Sequence, residues 1–403
     1  MRDNEQNGKI QRKKKLLVTA STFPRWEGDT EPRFVLDLSS HMTDEFNVTV
    51  LVPASPGAKD TEVMDDGVKV IRYHYFPIHK WETLCYPGAI VPRIKEKKVR
   101  ILLVPFLFIS LYFKLWRILP EYDIVHAHWL IPQGIVQSFF KKPYIVTGHG
   151  GDVTSLNKGI IKKLKVRCLK KASHVTVVSN YLKERVEELA SHEIEEPSVI
   201  SMGVDTSKFG KQYRVENYFN QGDKKVVLFV GRLAEKKGVT YLIEAMKSVD
   251  AILVIVGDGP LHDKLVAQAK EQGDKIRFVG SKTHEELKTI YASADIFVAP
   301  SITAKDGDQE GLPTTILEAM ASELPIVSSK TSGITEIIQD ERNGLLCQEK
   351  NIAELIDKIN ELLENGEYVD NLIERSNSTV MNYDYNVIAR RFKNRLNTEN
   401  IFD

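Results

Sequence analysis

The sequence has few cysteines and no long apolar segment, and its charges balance. Its three cysteines, Cys85, Cys168 and Cys347, are scattered and odd in number, which argues against a disulfide framework or a cysteine-based metal site. The opening residues 1–15 are polar and lack the apolar core of a secretory signal. The 55 basic and 55 acidic residues cancel, and no aromatic–basic interleaving is present, so no nucleic acid is expected as a partner. These absences favour a cytoplasmic protein.

The charge is unevenly distributed along the chain. Residues 1–200 carry 30 Lys and Arg against 23 Asp and Glu, a net charge of +7, and the remainder carries 25 against 32, a net charge of −7. Within the first half, basic residues at 93–100 precede an apolar run at 101–113. This run has 13 residues, fewer than the roughly 20 that a helix needs to span a bilayer. Two interpretations remain open for residues 93–119: a buried helix, or an element lying on the surface of an anionic membrane.

Length and composition indicate two folded domains. The chain has 403 residues, of which 42% are hydrophobic and 27% are charged, as is typical of soluble globular proteins. This length suits two domains of about 200 residues each. Short apolar strands alternate with helical segments, which predicts α/β domains whose parallel sheets are covered on both faces.

The most informative segment contains two acids, Glu310 and Glu318, eight residues apart. Between them Gly311 and Pro313 turn the backbone, and a helix is predicted to begin near Thr314. The first N–H groups of a helix have no partner inside it and lie at the positive end of its dipole, so they favour a bound phosphate. Two acids beside a phosphate site suit a nucleotide-sugar, one facing the sugar and one accepting from ribose hydroxyls. The alternative is an exposed loop acid followed by an ordinary helix-face acid.

A basic loop follows the predicted strand 226–230. This loop, at 231–238, contains Arg232 and Lys237 and precedes a predicted amphipathic helix. Arg232 can contact phosphate oxygens through two parallel N–H groups, and Lys237 adds a mobile point charge. A solvated basic turn is the alternative.

A second glycine-rich loop follows the next predicted strand. In the turn 257–260, Gly257 allows the backbone to approach a ligand closely, although the same residues also form routine turns. Loops that follow parallel strands lie at the same edge of the sheet. We therefore expect this turn, the basic loop and Glu310 to converge.

Three histidines lie near the ends of two further predicted strands. His126 and His128 alternate along one strand, so their side chains should point to the same side. His149 lies between glycines after the next strand, where side chains of α/β proteins meet ligands. Asp152 orients His149, accepts a hydrogen bond from a substrate hydroxyl, or caps the next helix. A zinc site formed by the histidines is an alternative, but no carboxylate partner is evident and no metal is predicted.

These motifs and their order resemble those of glycosyltransferase family 4, and the likeness covers nearly the whole chain. The segments that carry the resemblance are 21–30, 126–129, 147–152, 200–205, 231–238 and 257–260, together with Glu310 and Glu318. Those at 21–30 and 126–129 are most similar to bacterial exopolysaccharide and cell-wall polysaccharide transferases.

The resemblance implies the GT-B fold, an α/β architecture in which two Rossmann-like, doubly wound parallel-sheet domains face each other across a cleft. The implied acceptor-binding domain covers residues 1–205, and the nucleotide-sugar-binding domain covers 206–381. The remaining residues, 382–403, are expected to form a helix that crosses back to the first domain.

The resemblance also implies roles for the residues that match its motifs. Arg232 and Lys237 would hold the donor diphosphate. Backbone N–H groups at Gly311, Leu312 and Thr314 would assist them.

The sugar and the ribose have their own implied ligands. Glu310 would contact the transferred sugar and Glu318 the ribose. His149 matches the histidine that contacts the donor sugar near the reaction centre. His128 and Asp152 are the candidates on the acceptor side.

Gly28 matches a glycine in the N-terminal loop that approaches the diphosphate in the family. Many relatives carry two adjacent glycines where this chain has Gly28 followed by Asp29. A carboxylate beside a diphosphate is repulsive unless it turns away, so the contact at Gly28 depends on what Asp29 does. Gly257 is the corresponding donor-side position in the second domain.

The implied activity is that of a retaining, metal-independent hexosyltransferase. It would move a sugar from a nucleotide-sugar, with UDP as the expected nucleotide, to a hydroxyl of a lipid-linked saccharide or polysaccharide. No cofactor is expected, because the nucleotide-sugar is a co-substrate. The expected setting is bacterial surface polysaccharide synthesis in the cytoplasm, with peripheral contact at the inner face of the cell membrane.

Three other functions share parts of this architecture. A nicotinamide dehydrogenase also uses doubly wound sheets, but no G-x-G-x-x-G follows the first strand. A GT-B epimerase or phosphorylase shares the fold. A non-catalytic sugar-nucleotide-binding protein is the third alternative, and the intact basic and acidic pairs argue against it. The sequence does not specify the sugar, the acceptor, the linkage or the oligomeric state.

Overall fold

The computed structural model describes residues 12–64, 67–305, 307–331 and 333–397. Within these residues the chain forms two parallel sheets, each flanked by helices. The first sheet lies wholly before residue 200 and the second wholly after residue 225. This is the two-domain α/β architecture that the sequence predicts.

The described residues form eight strands in the first sheet. They are β1 (Lys14–Thr19), β2 (Phe46–Pro53), β3 (Thr61–Met64), β4 (Val68–Tyr73), β5 (Ile124–His128), β6 (Tyr144–Gly148), β7 (His174–Val177) and β8 (Ser198–Val199). Their order is β3-β4-β2-β1-β5-β6-β7-β8, and all neighbouring pairs are parallel except β3 and β4. Val18 of β1 lies opposite Val50 and His126. Because both faces of the central strands are covered, they are apolar runs rather than alternating ones.

In the described part of the first domain there are seven α-helices. They are α1 (Phe34–Ser40), α2 (Ile90–Glu96), α3 (Val104–Ile118), α4 (Ile135–Gln137), α5 (Gly151–Thr154), α6 (Gly159–Lys171) and α7 (Asn180–Leu189). The strand order reverses at β1, which has β2 on one side and β5 on the other. Such a switch point opens a crevice at the carboxyl ends of the strands. The loops after β1, β5 and β6 therefore meet at one edge.

In the part of the chain that the structure describes, the second sheet has six strands, all parallel. They are β9 (Val226–Val230), β10 (Ile252–Val256), β11 (Ile276–Phe278), β12 (Ile296–Ala299), β13 (Ile326–Ser329) and β14 (Leu345–Cys347). Their order is β11-β10-β9-β12-β13-β14. The strand order reverses at β9, so the basic loop that follows it and the acidic loop that follows β12 are neighbours.

Seven further α-helices follow among the residues that the structure describes after the first domain. They are α8 (Val239–Ala245), α9 (His262–Ala269), α10 (His284–Ser293), α11 (Thr314–Ala321), α12 (Ile352–Glu364), α13 (Gly366–Val380) and α14 (Tyr385–Leu396). Thr283 precedes helix α10 as its N-cap, and the side chains of Thr283 and Glu286 each accept from the other's backbone N–H group. Helix α11 begins directly after Pro313, where the sequence predicts a phosphate-binding end.

Helix α14 packs on the first domain, although it follows the second domain in the chain. Ile388, Ala389 and Phe392 are fully buried in the core of the first domain. Lys393 at the other end of the helix donates to Asp44 over 2.6 Å. The chain therefore crosses between the domains twice, and Val204 of the first crossing pairs with Asp384 of the second.

The apolar run in the first half forms part of a longer helical segment than the sequence predicts. Lys98–Glu121 has 24 residues, and an 18-residue stretch within it has a mean hydropathy of 1.8. By length and composition alone, it is the one helical segment of the described residues that is long and apolar enough to cross a membrane. Helical turns continue on both sides of the 13-residue apolar run, across Lys114 and Arg117, so the helical segment is longer than the run itself. Only three residues of α3, Leu107, Leu111 and Leu115, are buried, so α3 contributes one face to the core of the first domain and leaves the other exposed.

Candidate active site

The loop after β1 carries an acid that is neutralised within the loop. Arg25 donates from Nε and Nη2 to the two carboxylate oxygens of Asp29 over 3.0 and 2.9 Å. The guanidinium is stacked between the rings of Trp26 and Tyr86, at 3.9 and 4.0 Å. Burial opposes ionisation, but hydrogen bonds from Arg25 and Thr30 lower the pKa of Asp29. The charge that the sequence places beside Gly28 is therefore balanced.

Gly28 itself lies at the open tip of this loop. Its φ of 79° is in the left-handed region, which favours glycine. A Cβ atom built on it would have no neighbour within 4 Å. The loop therefore leaves space for a ligand at Gly28.

Arg232 of the second domain reaches across the cleft to the first domain. A Cβ atom built on Gly88 would lie 3.3 Å from Nη1 of Arg232. The N–H of Gly88 donates to Glu31, whose pKa burial raises. The side chain of Arg232 makes no hydrogen bond or ion pair with the residues that the structure describes, and its backbone carbonyl accepts from the N–H of Ala234. Its guanidinium is therefore available to a ligand in the cleft.

Lys237 and Glu310 form an ion pair at the bottom of the second domain's loops. Nζ of Lys237 lies 3.2 Å from Oε2 of Glu310, and Nζ of Lys236 lies 4.0 Å from Oε1. Glu310 is 7% exposed. Burial alone would raise its pKa, but the two lysines lower it below the ordinary value. Oε1 has no hydrogen-bond partner in the described parts of the chain, so a ligand hydroxyl would satisfy it.

Glycines hold the loops after β9 and β10 against each other. A Cβ atom on Gly257 would lie 2.0 Å from the carbonyl oxygen of Gly231, and one on Gly259 would lie 2.7 Å from the backbone nitrogen of Leu233. Close packing therefore explains why a glycine stands at position 257, without any contact to a ligand. These close backbone contacts position the basic loop that carries Arg232.

The start of helix α11 lies against the histidine loop of the first domain. A Cβ atom on Gly311 would lie 2.7 Å from the carbonyl oxygen of His149. Leu312 packs against the cores of both domains. The structure thus brings Glu310, His149 and the N-terminus of α11 near Thr314 into one cleft, as the sequence predicts for a shared site.

Glu318 is buried one turn inside α11 and has a partner that the sequence does not indicate. The hydroxyl of Tyr291, on α10, donates to Oε2 of Glu318 over 2.8 Å. Burial raises the pKa of Glu318 from 4.5 to about 7, although the hydrogen bond from Tyr291 opposes this. The carboxyl group therefore changes charge near neutral pH.

His149 lies in an aromatic setting at the mouth of the first domain. Its ring contacts those of Phe34 and Trp129, with centroids 5.3 and 4.8 Å apart. Burial lowers the pKa of His149 to about 3, so its imidazole is neutral at physiological pH. It can exchange a hydrogen bond with a substrate but cannot offer a positive charge.

His128 lies on the interior side of His149, and the hydrogen bond between the two rings determines which nitrogen of His149 carries the proton. Nδ1 of His128 is 3.0 Å from Nε2 of His149. Nε2 of His128 is buried and has no partner among the residues the structure describes. A buried acceptor without a partner is tolerated better than a buried donor, so we assign the proton of His128 to Nδ1, which donates to His149. His149 then carries its own proton on Nδ1.

The acceptor-side role expected for His128 does not fit its position. His128 is fully buried, because the short strand β5 points it and His126 into the domain. The two rings lie on the same side with centroids 4.2 Å apart, which confirms the predicted alternation. His126 bonds to Thr147 over 2.7 Å, so neither histidine faces the cleft.

Asp152 acts on the backbone. Its two oxygens accept from the N–H groups of Leu130, His149 and Gly150 over 2.9 to 3.0 Å. Of the three roles left open, this arrangement favours orienting His149 through its backbone, because Asp152 lies inside α5, whose N-terminus has no side-chain cap. Contact with a substrate hydroxyl is disfavoured because both oxygens are already engaged.

A second interdomain contact joins Glu336 of the second domain to Asn180 of the first. The carboxylate of Glu336, in the second domain, accepts from the backbone and side chain of Asn180 over 2.9 Å at the start of α7. Beside it a groove of about 710 Å³ opens between the domains. Leu312 is the one predicted donor-site residue among those lining this groove. Together with the Arg232 contact, Glu336 holds the domains close.

The electrostatics of the site come from side chains and backbone. Among the described residues no cluster of three His, Cys, Asp or Glu side chains could hold a metal ion. Arg232, Lys236 and Lys237 supply positive charge, and α11 presents its N-terminus. The arrangement can bind an anion and place a buried carboxylate beside it.

Two family profiles together match most of the chain. Residues 32–208 match the family described as Glycosyltransferase Family 4, and residues 213–379 match the one described as Glycosyl transferases group 1. With two Rossmann-like domains around one cleft, these matches define a GT-B glycosyltransferase. The chain belongs to glycosyltransferase family 4.

Three relatives illustrate the similarity. The uncharacterized glycosyltransferase MJ1178 of Methanocaldococcus jannaschii is 31% identical over 252 residues, 61% of this chain and 66% of that protein. The amylovoran biosynthesis glycosyltransferase AmsK of Erwinia amylovora is 38% identical over 162 residues, 38% of this chain and 39% of its own. A GDP-mannose-dependent alpha-(1-6)-phosphatidylinositol monomannoside mannosyltransferase of Mycobacterium tuberculosis is 32% identical over 205 residues, 47% and 52% of the two chains. The matched part is less than two thirds of the length of each of these three.

Solved structures share the whole fold. Sucrose-phosphate synthase of Thermosynechococcus elongatus has a TM-score of 0.76 at 20% identity, covering 95% of this chain and 98% of its own. HepE of Anabaena, solved with UDP and glucose, has a TM-score of 0.70 at 19% identity, covering 95% and 99%. At such identities the likeness concerns the fold alone.

Proposed function

We propose that this protein transfers a sugar from a UDP-sugar to a hydroxyl of a lipid-linked saccharide or polysaccharide in bacterial surface polysaccharide synthesis. The transfer retains the anomeric configuration and needs neither a metal nor a cofactor. The observation that carries the proposal is the buried Glu310 carboxylate, which Lys237 holds in the same cleft as the unpaired guanidinium of Arg232.

The cations of the site bind the leaving diphosphate and stabilise its negative charge. Negative charge grows on it as the bond to the sugar breaks, and preorganised donors stabilise that charge most at the transition state. Arg232 contacts it with two N–H groups and Lys237 with one. The N–H groups of Leu312 and Thr314 add the end of the α11 dipole. Gly28 and its loop approach from the opposite side without repulsion, because Arg25 balances Asp29.

The sugar and ribose are held by the acids. Glu310 accepts hydrogen bonds from sugar hydroxyls through the oxygen that lacks a partner. Glu318 accepts from the ribose in its ionised form. His149 contacts the sugar as a neutral imidazole, with its Nδ1–H as donor.

Transfer follows a same-face route. The bond between the anomeric carbon and the diphosphate oxygen breaks, and the acceptor oxygen bonds to that carbon on the same face. The acceptor proton passes to the leaving diphosphate. Glu310 is engaged with Lys237 and is not free to act as a nucleophile. A sugar–enzyme adduct trapped on Glu310 would contradict this route.

Relatives support the substrate classes. HepE was solved with UDP and glucose, and AmsK is named for amylovoran biosynthesis. The mycobacterial relative acts on a phosphatidylinositol mannoside with GDP-mannose, which makes a lipid-linked acceptor reasonable and GDP the competing nucleotide. The protein would work in the cytoplasm, in peripheral contact with the inner face of the membrane.

A screen of donors tests the proposal. Purified protein is heated with UDP- and GDP-sugars, and a bound donor raises the unfolding temperature through linkage. Positive donors are then incubated with lipid-linked saccharides and the products are analysed. We expect a UDP-sugar to stabilise the protein and a glycosylated product with retained configuration. An isomerised donor without acceptor, or a sugar phosphate formed with inorganic phosphate, would identify an epimerase or phosphorylase instead. Donor binding without any product would favour a binding protein.

A further inference from the structure

Helix α3 is apolar on both of its faces. On one face Leu107, Leu111 and Leu115, four residues apart, are buried in the core of the first domain. On the other face Phe106, Ile109, Phe113 and Trp116 follow the same helical period and are exposed, the last two by 60% and 66%. A helix that is apolar all round is stable where both faces are covered. We therefore expect a partner to cover the exposed outer face of α3.

Aromatic contacts extend this face on both sides of the helix. Phe106 packs edge to face against Phe76, which stacks on Trp81. Tyr112 contacts Phe139 of the neighbouring loop. We name as the apolar surface the exposed residues Trp81, Leu102, Phe106, Ile109, Phe113, Trp116 and Phe139. Single exposed apolar residues need no explanation, but a contiguous patch of this kind marks an interaction site.

Cations flank the apolar surface. Residues 93–117 contain seven Lys and Arg and one acid, Glu96. Lys97 and Lys98 are exposed at one end of the helical segment, and Arg117 is exposed at the other. Long cationic side chains beside an apolar, aromatic face are the arrangement found where a helix lies in a membrane interface.

We propose that the apolar surface docks this protein on an anionic lipid bilayer, with α3 lying in the plane of the interface. This deepens the proposed function, because it names the surface that would bring the cleft to a lipid-linked acceptor. A second copy of the chain is disfavoured as the occupant, because a symmetric interface would bring these cations against their own copies. A membrane-spanning position is disfavoured because Leu107, Leu111 and Leu115 would have to leave the protein core.

The docking surface is connected to the active cleft along the chain. Gly88, which approaches Arg232, is followed directly by α2 and then by the helical segment that starts at Lys98. Arg93 on α2 is close enough to Arg232 for their charges to interact. A bilayer touching α3 would therefore lie beside the entrance that an acceptor must use.

Vesicle flotation tests the surface without any nucleotide-sugar. The full chain is mixed with phosphatidylcholine vesicles that contain or lack phosphatidylglycerol. We expect binding to the anionic vesicles, weakened by salt. The variant F113D/W116D should bind at least about tenfold less, because two large apolar side chains no longer enter the lipid. The matched control V266D/M381D changes two exposed apolar residues elsewhere and should bind normally.

A spectroscopic arm identifies the face that enters the lipid. Brominated phospholipids should quench the fluorescence of the protein, and the quenched fraction should fall in W116F. Equal binding of F113D/W116D and the wild type, or no binding of the wild type to anionic vesicles, would overturn the proposal. So would a wild-type dimer that F113D/W116D converts to a monomer.

Donor-induced thermal shifts on the same samples keep the two proposals separate. F113D/W116D should retain the full shift with a UDP-sugar while losing the vesicles, because no substituted residue lies in the cleft. A wild type that shifts with donors but does not bind vesicles would exclude the docking surface and leave the proposed sugar transfer unaffected. A wild type that binds vesicles but no donor would support the docking surface and contradict the proposed sugar transfer.

Discussion

Nζ of Lys237 lies 3.2 Å from Oε2 of Glu310, so one cation of the predicted phosphate site already has a partner. A buried charge without a partner is costly, which explains why the two side chains pair in the absence of a ligand. When the diphosphate arrives, Lys237 gains a second anion. Glu310 can then turn its free oxygen to the sugar. The ion pair therefore couples recognition of the two halves of the donor.

Glu310→Gln tests this coupling. The substitution keeps the shape but removes the charge that orients sugar hydroxyls, so we expect kcat to fall about 100-fold or more. UDP without a sugar should bind at least as tightly as before, because Lys237 no longer has a competing carboxylate. Calorimetry with UDP and product assays measure the two effects. Glu235→Gln, an exposed acid in the same loop, is the control, and full activity of Glu310→Gln would exclude the residue from the site.

Glu318 makes stability depend on pH near neutrality. Its pKa is raised by burial from 4.5 to about 7, so between these values the folded protein holds a proton that the unfolded chain releases. The contribution of this group to the free energy of unfolding is fully present below the lower value. It falls as the pH rises through about 7, by up to about 3 kcal/mol. Urea unfolding across this range should show the decline, and Glu318→Gln should reduce its slope.

The same carboxyl group should make donor binding release a proton. Ribose hydroxyls donate to the ionised form, so a bound donor should lower the pKa of Glu318 and be favoured as the pH rises through 7. Calorimetry in buffers of different ionisation enthalpy measures the released proton. Tyr291→Phe removes a hydrogen bond that lowers this pKa, so the transition should move to higher pH. An unchanged transition in Tyr291→Phe would count against Glu318 as the titrating group.

His128 should position His149 without touching substrate. His128→Leu removes the donor to Nε2 of His149, and we expect kcat to fall about tenfold with little change in donor affinity. His128→Asn keeps an N–H group near the position of Nδ1 and should recover part of the loss. If both variants lose activity equally, the residue serves packing alone. Because the pKa of His149 is about 3, neither variant should create a new limb in the pH profile above pH 5.

Arg25 and Asp29 should be coupled in donor binding. Arg25→Met leaves the carboxylate of Asp29 unbalanced beside the diphosphate, so the Kd for a UDP-sugar should rise about tenfold or more. Asp29→Asn in the same background should restore most of the affinity. A double-mutant cycle on donor affinity measures the coupling energy. Strictly additive effects would mean that the loop does not approach the diphosphate.

Much of the fold could be predicted from the sequence because strands buried on both faces are short apolar runs. The predicted strand 226–230 coincides with β9, and the helix expected near Thr314 begins there. The convergence of Arg232, Lys237 and Glu310 also followed, since loops after parallel strands share an edge. These predictions need only local patterns and one topological rule.

Contacts between residues far apart in the chain could not be predicted. Nothing in the sequence around Gly88 indicates that it meets Arg232, because the domain closure decides that contact. Tyr291 resembled any core residue of α10 until the structure placed its hydroxyl on Glu318. The motif alone suggested that His128 faces the cleft, whereas the direction of β5 turns it inward.

The return of α14 to the first domain has a consequence for synthesis on the ribosome. Ile388 and Phe392 complete a core whose other members are nearly all made before residue 203, so a nascent first domain leaves that part of its surface uncovered while the second is translated. Chains stalled before residue 385 should therefore be cut by protease within the first domain. Chains that include α14 should resist cleavage there.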